Sequence, residues 1–443
     1  MASTPLDDFL RAYGAAGFVR MHMPGHKGQL SSADITEIEG ADSLYAASGV
    51  IAASEKRMAD VYGAMRTAYS AGGSTLCIQA MLACCARNAA RRRKLLCTRN
   101  LHVAAAGAMA LLDLEPVCLY PADRPDPRLP GVVTAGQVRE ALAAHPDAAA
   151  VYLTCPDYYG QRCDLAAVAA VCQAASVPLL VDNAHGAHLR FLQPNLHPMA
   201  LGASACCDSL HKTLPALTGA ALLHIADERF CGREKDAMAL FGSTSPSYLI
   251  LQSIDRLLES MESGELARRT AMLTARCASV REAFAAHGLR SIDGDPTRIV
   301  VDAQAAGLSG LLLAEQLRAA RIEPEYADNC FVVLLPSIFS SRQDFARLIA
   351  FAETFQPTAP YRPPMPPEPR PKRVMSLREA ILSPAESLPV RQAVGRVAAR
   401  SEATCPPGVP ALLAGEAVDE ETAVYLAEKG VRSVAVVRES AAQ

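Results

Sequence analysis

The chain has 443 residues, half of them hydrophobic and a fifth charged, with a formal net charge of −3. That length suffices for two or three domains with cores of their own, and the composition is ordinary for a globular protein. A charge so near zero excludes the electrostatic footprint of a nucleic-acid or anionic-membrane binder.

The one basic cluster, Arg91-Arg92-Arg93-Lys94, has no interleaved aromatics and reads as a solvated helix end or loop. No apolar stretch reaches the ~18 residues of a membrane span. The start, Met1 to Asp8, lacks the basic and apolar regions of a leader, so the cytoplasm is the expected location. The fourteen cysteines are scattered through apolar runs without a Cys-x-x-Cys pair, and they read as reduced, buried small hydrophobes.

From about residue 60 to 230, Ala-rich helical stretches alternate with short apolar runs at Lys94 to Cys97, Glu115 to Leu119, Ala149 to Leu153, Pro178 to Val181, Ala203 to Cys206 and Ala220 to Ile225. This alternation predicts an α/β domain built on a mostly parallel sheet with helices on both faces, whose ligand sits beyond the carboxyl ends of the strands. Ser247 to Glu262 and Ala267 to His287 read as helices. Strands near Arg298 to Asp302 and Cys330 to Leu335, flanking a helix from about Ser309 to Ala320, predict a smaller α/β subdomain. Gln356 to Lys372 holds eight prolines and reads as a semi-rigid linker. A C-terminal α+β domain follows: a helix at Ser376 to Ile381, the turn-rich Cys405-Pro406-Pro407-Gly408-Val409-Pro410, and a helix and strand from Glu420 to Val437. The expected divisions are an arm at 1–30, a large domain at 31–255, a small one at 256–355, a linker at 356–372 and a C-terminal domain at 373–443.

Two stretches carry the chemistry. Asp182-Asn183-Ala184-His185-Gly186 ends one apolar run, and Ser209-Leu210-His211-Lys212-Thr213 ends another. A buried lysine amine can hold an aldehyde cofactor as a Schiff base, and a carboxylate beside a pyridine nitrogen keeps that ring protonated as an electron acceptor. Lys212 and Asp182 supply both groups, which points to pyridoxal phosphate (PLP). Of the seven lysines, only Lys212 follows a predicted buried strand downstream of such an aspartate. Gly73-Ser74-Thr75 opens a helical run and offers amides, a dipole end and hydroxyls for a phosphate, although Ser and Thr are also ordinary N-caps. Ser209 and His211 are further phosphate ligands. His102, after a strand end, can lie on a face of the pyridine ring, or be a structural histidine. Asp182-x-x-His185-x-x-His188 resembles metal-ligand spacing without a Cys or Glu partner, and Pro24-Gly25 break any helix that would pair His22 with His26, so no metal is expected.

With these residues in hand, the chain resembles the Orn/Lys/Arg decarboxylase family in its short form without an amino-terminal wing domain. The likeness runs through His22-Met23-Pro24-Gly25-His26-Lys27-Gly28, Asp34-Ile35-Thr36-Glu37, Gly73-Ser74-Thr75, Arg99-Asn100-x-His102 and Pro156-x-Tyr158-Tyr159-Gly160. It continues through Asp182-x-Ala184-His185-Gly186-Ala187-His188, His211 to Thr218, Thr244-Ser245-Pro246-Ser247-Tyr248 and Pro406 to Pro410 with Gly415-Glu416. The resemblance implies a fold type I PLP-dependent enzyme, similar to aspartate aminotransferase in its large domain. It makes Lys212 the Schiff-base lysine, Asp182 the partner of the pyridine nitrogen and His102 the ring-stacking residue. Gly73, Ser74, Thr75, His185, Ser209 and His211 become cofactor contacts. Thr244 falls in the motif that reaches the phosphate of a neighbouring subunit, so a homodimer or larger assembly with shared active sites is implied. The sequence departs from the family pattern at Val103-Ala104, at Cys155 in place of Ser, at Asn183 in place of Glu and at Cys77-Ile78.

The expected reaction is decarboxylation of arginine, lysine or ornithine to an amine and carbon dioxide, with Asp157, Glu325 or Glu416 as the acidic partner of the basic side chain. Another fold type I reaction, such as transamination or aldol cleavage, and a non-catalytic binding or regulatory role remain alternatives at this level.

Overall fold

The computed structural model describes residues 4–89, 92–121, 124–361, 368–403 and 408–439. Arg91 of the basic cluster, 362–367 of the proline-rich stretch, Cys405 to Pro407, and Met1 to Ser3 lie outside the described residues.

The seven strands of the large sheet follow one another as β1 (Arg66–Ser70), β2 (Lys94–Thr98), β3 (Glu115–Leu119), β4 (Ala150–Thr154), β5 (Leu179–Asp182), β6 (Ala205–Ser209) and β7 (Ala221–Ile225). Six coincide with the apolar runs read from the sequence. β1 does not, because Arg66-Thr67-Ala68-Tyr69-Ser70 carries too few aliphatics to stand out, although four of its five residues are buried.

The chain divides into two compact units, Met1–Met81 with Cys155–Ala170 and Leu179–Arg362, and Leu82–Thr154 with Val171–Pro178 and Pro363–Gln443. In the first, β5 and β6 are parallel, and β7 lies antiparallel between β6 and β1. In the second, β2 is parallel to both β3 and β4. The sheet is thus mostly parallel, with an antiparallel edge that alternation alone does not reveal.

Each strand from β5 to β7 is buried along its whole length, which explains its mostly apolar character, and Asp182, Asp208, Ser209 and His224 are buried with it. The first unit packs the helices Pro5–Ala15, Val50–Tyr62, Tyr248–Asp255 and Leu257–Glu262 into one core with Tyr69, Leu210 and Leu222. The predicted helix from Ser247 to Glu262 is therefore two, which meet at Arg256.

A second core in the same unit joins helices Glu265–Ala286, Gly310–Ala319 and Arg342–Thr354 to an antiparallel sheet. Its strands are β8 (Arg290–Ser291), β9 (Ile299–Asp302), β10 (Tyr326–Ala327) and β11 (Phe331–Leu334), in the order β10-β11-β9-β8. Helix Arg342–Thr354 was not read from the sequence. Its signal is a capping box in which the Ser341 hydroxyl accepts from the Asp344 N–H and Asp344 accepts from the Ser341 N–H.

The C-terminal part of the second unit has two small sheets, β12 (Ala385–Pro389) with β15 (Ser433–Val437) and β13 (Glu402–Ala403) with β14 (Pro410–Leu412). Its core is Val390, Ala398, Leu412, Leu426, Val434 and Val436. Among the described residues, no helix is long and apolar enough to cross a membrane.

Gly415 and Gly430 both have left-handed backbones there, at φ +82° and +77°. A Cβ at Gly415 would overlap the Met375 carbonyl, whereas one at Gly430 meets nothing within 4 Å. Gly430→Ala should cost only the left-handed penalty of about 1 kcal/mol, and Gly415→Ala should lower the thermal unfolding midpoint by several degrees more. Equal midpoints in differential scanning calorimetry would contradict this account.

Candidate active site

Asp182 is the last residue of β5 and Ser209 the last of β6. Backbone pairing sets Asp182 opposite Cys207, and the Asn183 N–H donates to the Cys207 carbonyl at 3.0 Å. The chain then turns through the one-turn helix Leu210–Thr213, which carries Lys212. Buried Asp182 accepts the Ala184 N–H at 3.1 Å and the Cys207 thiol at 3.6 Å on the same oxygen.

Lys212 Nζ lies 3.0 Å from His185 Nε2. Burial lowers the basicity of this amine, and the negative field of Asp182 only partly offsets the effect. A lysine so placed has a larger neutral, nucleophilic fraction than one in water.

The glycine-hydroxyl loop is fastened to the same corner. Gly73, the first residue of helix Gly73–Asn88, donates its N–H to the Gly219 carbonyl at 2.8 Å. The next carbonyl, Ala220, accepts the Leu210 N–H at 3.0 Å and His211 Nδ1 at 3.3 Å. Ser209 Oγ is 3.3 Å from His211 Nδ1. The Gly219-Ala220 turn therefore ties the helix start bearing Ser74 and Thr75 to the turn bearing Lys212. Burial, with the nearby Lys212 charge, pushes the His211 pKa down. Thr244 is exposed, between helices Glu234–Ala239 and Tyr248–Asp255.

Arg298, immediately before β9, is the residue that the sequence reading missed. It is buried, and its guanidinium donates to the carbonyls of Asp157 at 3.1 Å, Tyr158 at 2.5 Å and His185 at 3.5 Å, with His185 Nδ1 also at 3.5 Å. An N–H aimed at Nδ1 leaves the proton of a neutral His185 on Nε2, facing Lys212. The local signal for Arg298 is a charge placed directly before an apolar run, which is common at strand starts and carries no functional mark.

The three acidic candidates have different surroundings. Asp157 is buried, accepts the Gln161 N–H at 2.8 Å, and leaves its Oδ2 without a partner. Burial pushes its pKa up to about 6 against the Gln161 N–H and Arg298. Glu325 is exposed and accepts the Tyr158 hydroxyl at 2.8 Å, and its charge is among those felt by Lys212. Tyr158 also stands edge-on to His185, with ring centroids 5.0 Å apart.

Glu416 lies in the second unit and is buried at 3.4 Å from Arg99, accepting the Leu413 N–H at 2.7 Å. Among the three candidates it is the one paired with a buried arginine and a backbone N–H. His102 is also in the second unit, where its Nδ1 accepts the Ala104 N–H at 3.1 Å and caps helix Val103–Leu112.

His188 does not join Asp182 and His185 in a cluster. It pairs with Asp295 at 2.9 Å and bonds to the Thr297 hydroxyl at 3.0 Å. Another group, His197, Asp208 and His224, does bring three ligand-type atoms within 4.8 Å of one another, all buried. His197 Nδ1, however, accepts the Met199 N–H at 3.3 Å, so the proton of a neutral ring sits on Nε2, 3.0 Å from Asp208 Oδ2. His224 Nε2 reaches the same oxygen at 3.2 Å, and Asn183 Nδ2 donates to Oδ1 at 2.6 Å. Asp208 is a carboxylate buried with three donors, and it braces Asn183, the neighbour of Asp182. The side chain of Asn183 lies so close under Gly186 that a Cβ there would overlap it.

The mostly parallel α/β sheet, with a buried aspartate and a lysine at adjacent strand ends, has the architecture of the fold type I class. Within that class, the model of the family described as Orn/Lys/Arg decarboxylase, major domain, matches residues 4–295, and that of its C-terminal domain matches 359–428. The chain belongs to the Orn/Lys/Arg decarboxylase family and is an amino acid decarboxylase.

Similar curated proteins include the uncharacterized protein YaaO of Bacillus subtilis (strain 168), 30% identical over 95% of this chain and 93% of that one. An arginine decarboxylase of the same organism is 28% identical over 96% and 93%. The fold is shared with the lysine decarboxylase LdcF of Francisella novicida, at a TM-score of 0.82 and 16% identity over 98% of this chain and 81% of that one.

The Asp208 cluster carries a pH prediction. Burial lowers the His224 pKa below its ordinary 6.5, although Asp208 opposes this. The unfolded chain then binds more protons below that value, so the contribution of His224 is present above it and is lost as the pH falls. Burial would raise the Asp208 pKa, but His197 and His224 outweigh it and hold the group below 3.8, so its contribution is lost only at still lower pH. The denaturant midpoint should therefore fall between pH 7.5 and 5.5 and fall again below about pH 4. Asp208→Ala, which strands three buried donors, should cost about 3 kcal/mol or more by the same measurement.

Proposed function

We propose that this chain decarboxylates a basic amino acid (arginine, lysine or ornithine) with PLP, giving carbon dioxide and the polyamine-type amine. The observation that carries this reading is the partly buried Lys212 amine, 3.0 Å from His185 and under the field of Asp182.

The donor set suits PLP. It offers a neutral-leaning amine for the aldehyde, a buried carboxylate for a protonated pyridine nitrogen, and a helix start with hydroxyls for the phosphate. Lys212, Asp182, Ser74, Thr75, Ser209 and His211 would hold it, with Gly73 shaping the loop, His185 beside the amine and His102 on the ring face. Thr244 would come from the neighbouring subunit of a homodimer or larger assembly. Bound PLP supplies an acceptor for the electrons of the bond to the departing carboxylate.

The residues of the chain do the rest. Asp182 keeps a proton on the ring nitrogen. Arg298 fixes the 157–158 turn against His185, so that the ring of His185 stays on Lys212. Lys212 Nζ would return a proton to the alpha carbon of the substrate. Glu325, open to solvent and tied to Tyr158, receives the distal cation of the substrate, with Asp157 as the enclosed alternative. The proposed domain divisions are those read from the sequence, and the proposed location is the cytoplasm.

Purified protein loaded with PLP and given each amino acid separately should release agmatine, cadaverine or putrescine by mass spectrometry. A keto acid product, or no amine although PLP is bound, would overturn decarboxylation of these substrates. Lys212→Ala should abolish turnover, and normal turnover in Asp182→Ala would remove the role given to Asp182. Glu325→Gln should raise KM for the basic substrate by about tenfold, the equivalent of ~1.4 kcal/mol, with little change in kcat.

A further inference from the structure

Cys155 follows β4 directly, and its backbone N–H donates to the carbonyl of Asp182 at 3.0 Å. Its thiol lies 3.8 Å from that of Cys163, and neither cysteine is in a disulfide. Cys155 is buried and Cys163 partly exposed, so the pair reaches from beside the Asp182 strand end to the surface. The seven residues between them form a braced loop. The Asp157 N–H donates to Gln161 O at 3.0 Å, the Gln161 N–H to Asp157 Oδ1 at 2.8 Å, and the Gly160 N–H to Asp157 O at 3.0 Å. The same loop presents the carbonyls gripped by Arg298 and the hydroxyl that meets Glu325.

We propose that Cys155 and Cys163 are a thiol-oxidation site, closed reversibly to a disulfide by hydroperoxides. One sulfur of the pair, as thiolate, attacks a peroxide oxygen. The O–O bond breaks, and the departing oxygen leaves as an alcohol or water with a proton. The second sulfur then displaces the oxygen now bound to the first, which leaves as water while the S–S bond forms. In sum, two thiols and one hydroperoxide give a disulfide, an alcohol and water, a transfer of two electrons and two protons. The Cys163 thiol donates toward Cys155 and eases ionisation of Cys155 against the opposing effect of burial, which favours such chemistry.

A disulfide has its sulfurs about 2.05 Å apart, so each side chain has to shift by under ~1 Å along the line between them. The braced loop leaves that strain to be taken up at Cys155, which holds the Asp182 carbonyl, and at the Asp157-Tyr158 turn. Oxidation should therefore slow turnover severalfold, and dithiothreitol should restore it. This effect on turnover rests on the proposed decarboxylase function; the cross-link does not.

The test treats the full chain with hydrogen peroxide and maps tryptic peptides without reduction. Cleavage after Arg162 separates the two cysteines, so the disulfide joins peptide 140–162 to peptide 163–190. This joined species should appear in the wild type, vanish with dithiothreitol, and be absent from Cys163→Ser and Cys163→Ala. Both variants should match the wild type when reduced and keep their activity in peroxide. The proposal fails if the joined peptide is absent while other thiols oxidise, if it persists in the Cys163 variants, or if those variants lose activity in peroxide as the wild type does. Were no turnover found in any form, the peptide map alone would still decide the oxidation site.

Discussion

The parallel pairing of β5 with β6 is the constraint on which the site depends. Because Asp182 faces Cys207 in register and Asn183 donates to the Cys207 carbonyl, both strands end at the same level. A one-residue slip would turn the buried face of either strand to the other side and separate the carboxylate from the lysine turn. Everything else braces that edge. The turn before β7 supplies the Gly219 and Ala220 carbonyls for the helix start and the lysine turn, and Arg298, just before β9, holds the loop after β4. Lys212 sits on a short turn and Asp182 at a strand end, and both are tied to strands buried along their whole length.

Charge is handled differently at different depths. Asp208 and Glu416 are both enclosed, and both have their acceptor capacity spent on protein donors, Asp208 on two histidines and an amide, Glu416 on Arg99 and a backbone N–H. Such groups stabilise only as complete sets, since removing one partner strands the other. Asp157 differs in that its Oδ2 is buried without a partner. A buried carboxyl with an unpartnered oxygen is a feature that structural stability alone does not favour, and it fits a group that meets something outside the chain.

Much of this was legible in the sequence, for identifiable reasons. The strands that lead to Asp182 and Lys212 are buried along their whole length, so they appear as mostly apolar runs whose ends can be found. Lysine is rare in the chain, which made Lys212 conspicuous. β1 was not legible, because its pairing with β7 and its burial come from tertiary context that a run of mixed residues does not encode. Nor was Arg298 legible, since its function depends on carbonyls more than 100 residues earlier in the chain. The surroundings of Glu416 were not legible for a related reason: a sequence shows that a carboxylate exists, but not that Arg99 stands beside it in the interior.

The departures from the family pattern gain a physical sense in the same way. Asn183 cannot carry the charge of the Glu it replaces, yet a buried carboxylate stands opposite it as Asp208, with Asn183 as a donor. Two anions facing each other at this depth would repel strongly, so a neutral amide at 183 is what a fixed Asp208 requires. With the His197 and His224 protons also directed at Asp208, its negative charge is balanced away from Asp182, and Asp182 is the carboxylate whose field acts most strongly on Lys212. Cys155 is a departure of the other kind. A serine there could bond to its neighbours but could not pair with Cys163, so the substitution adds chemistry next to Asp182 without disturbing the strand that positions it.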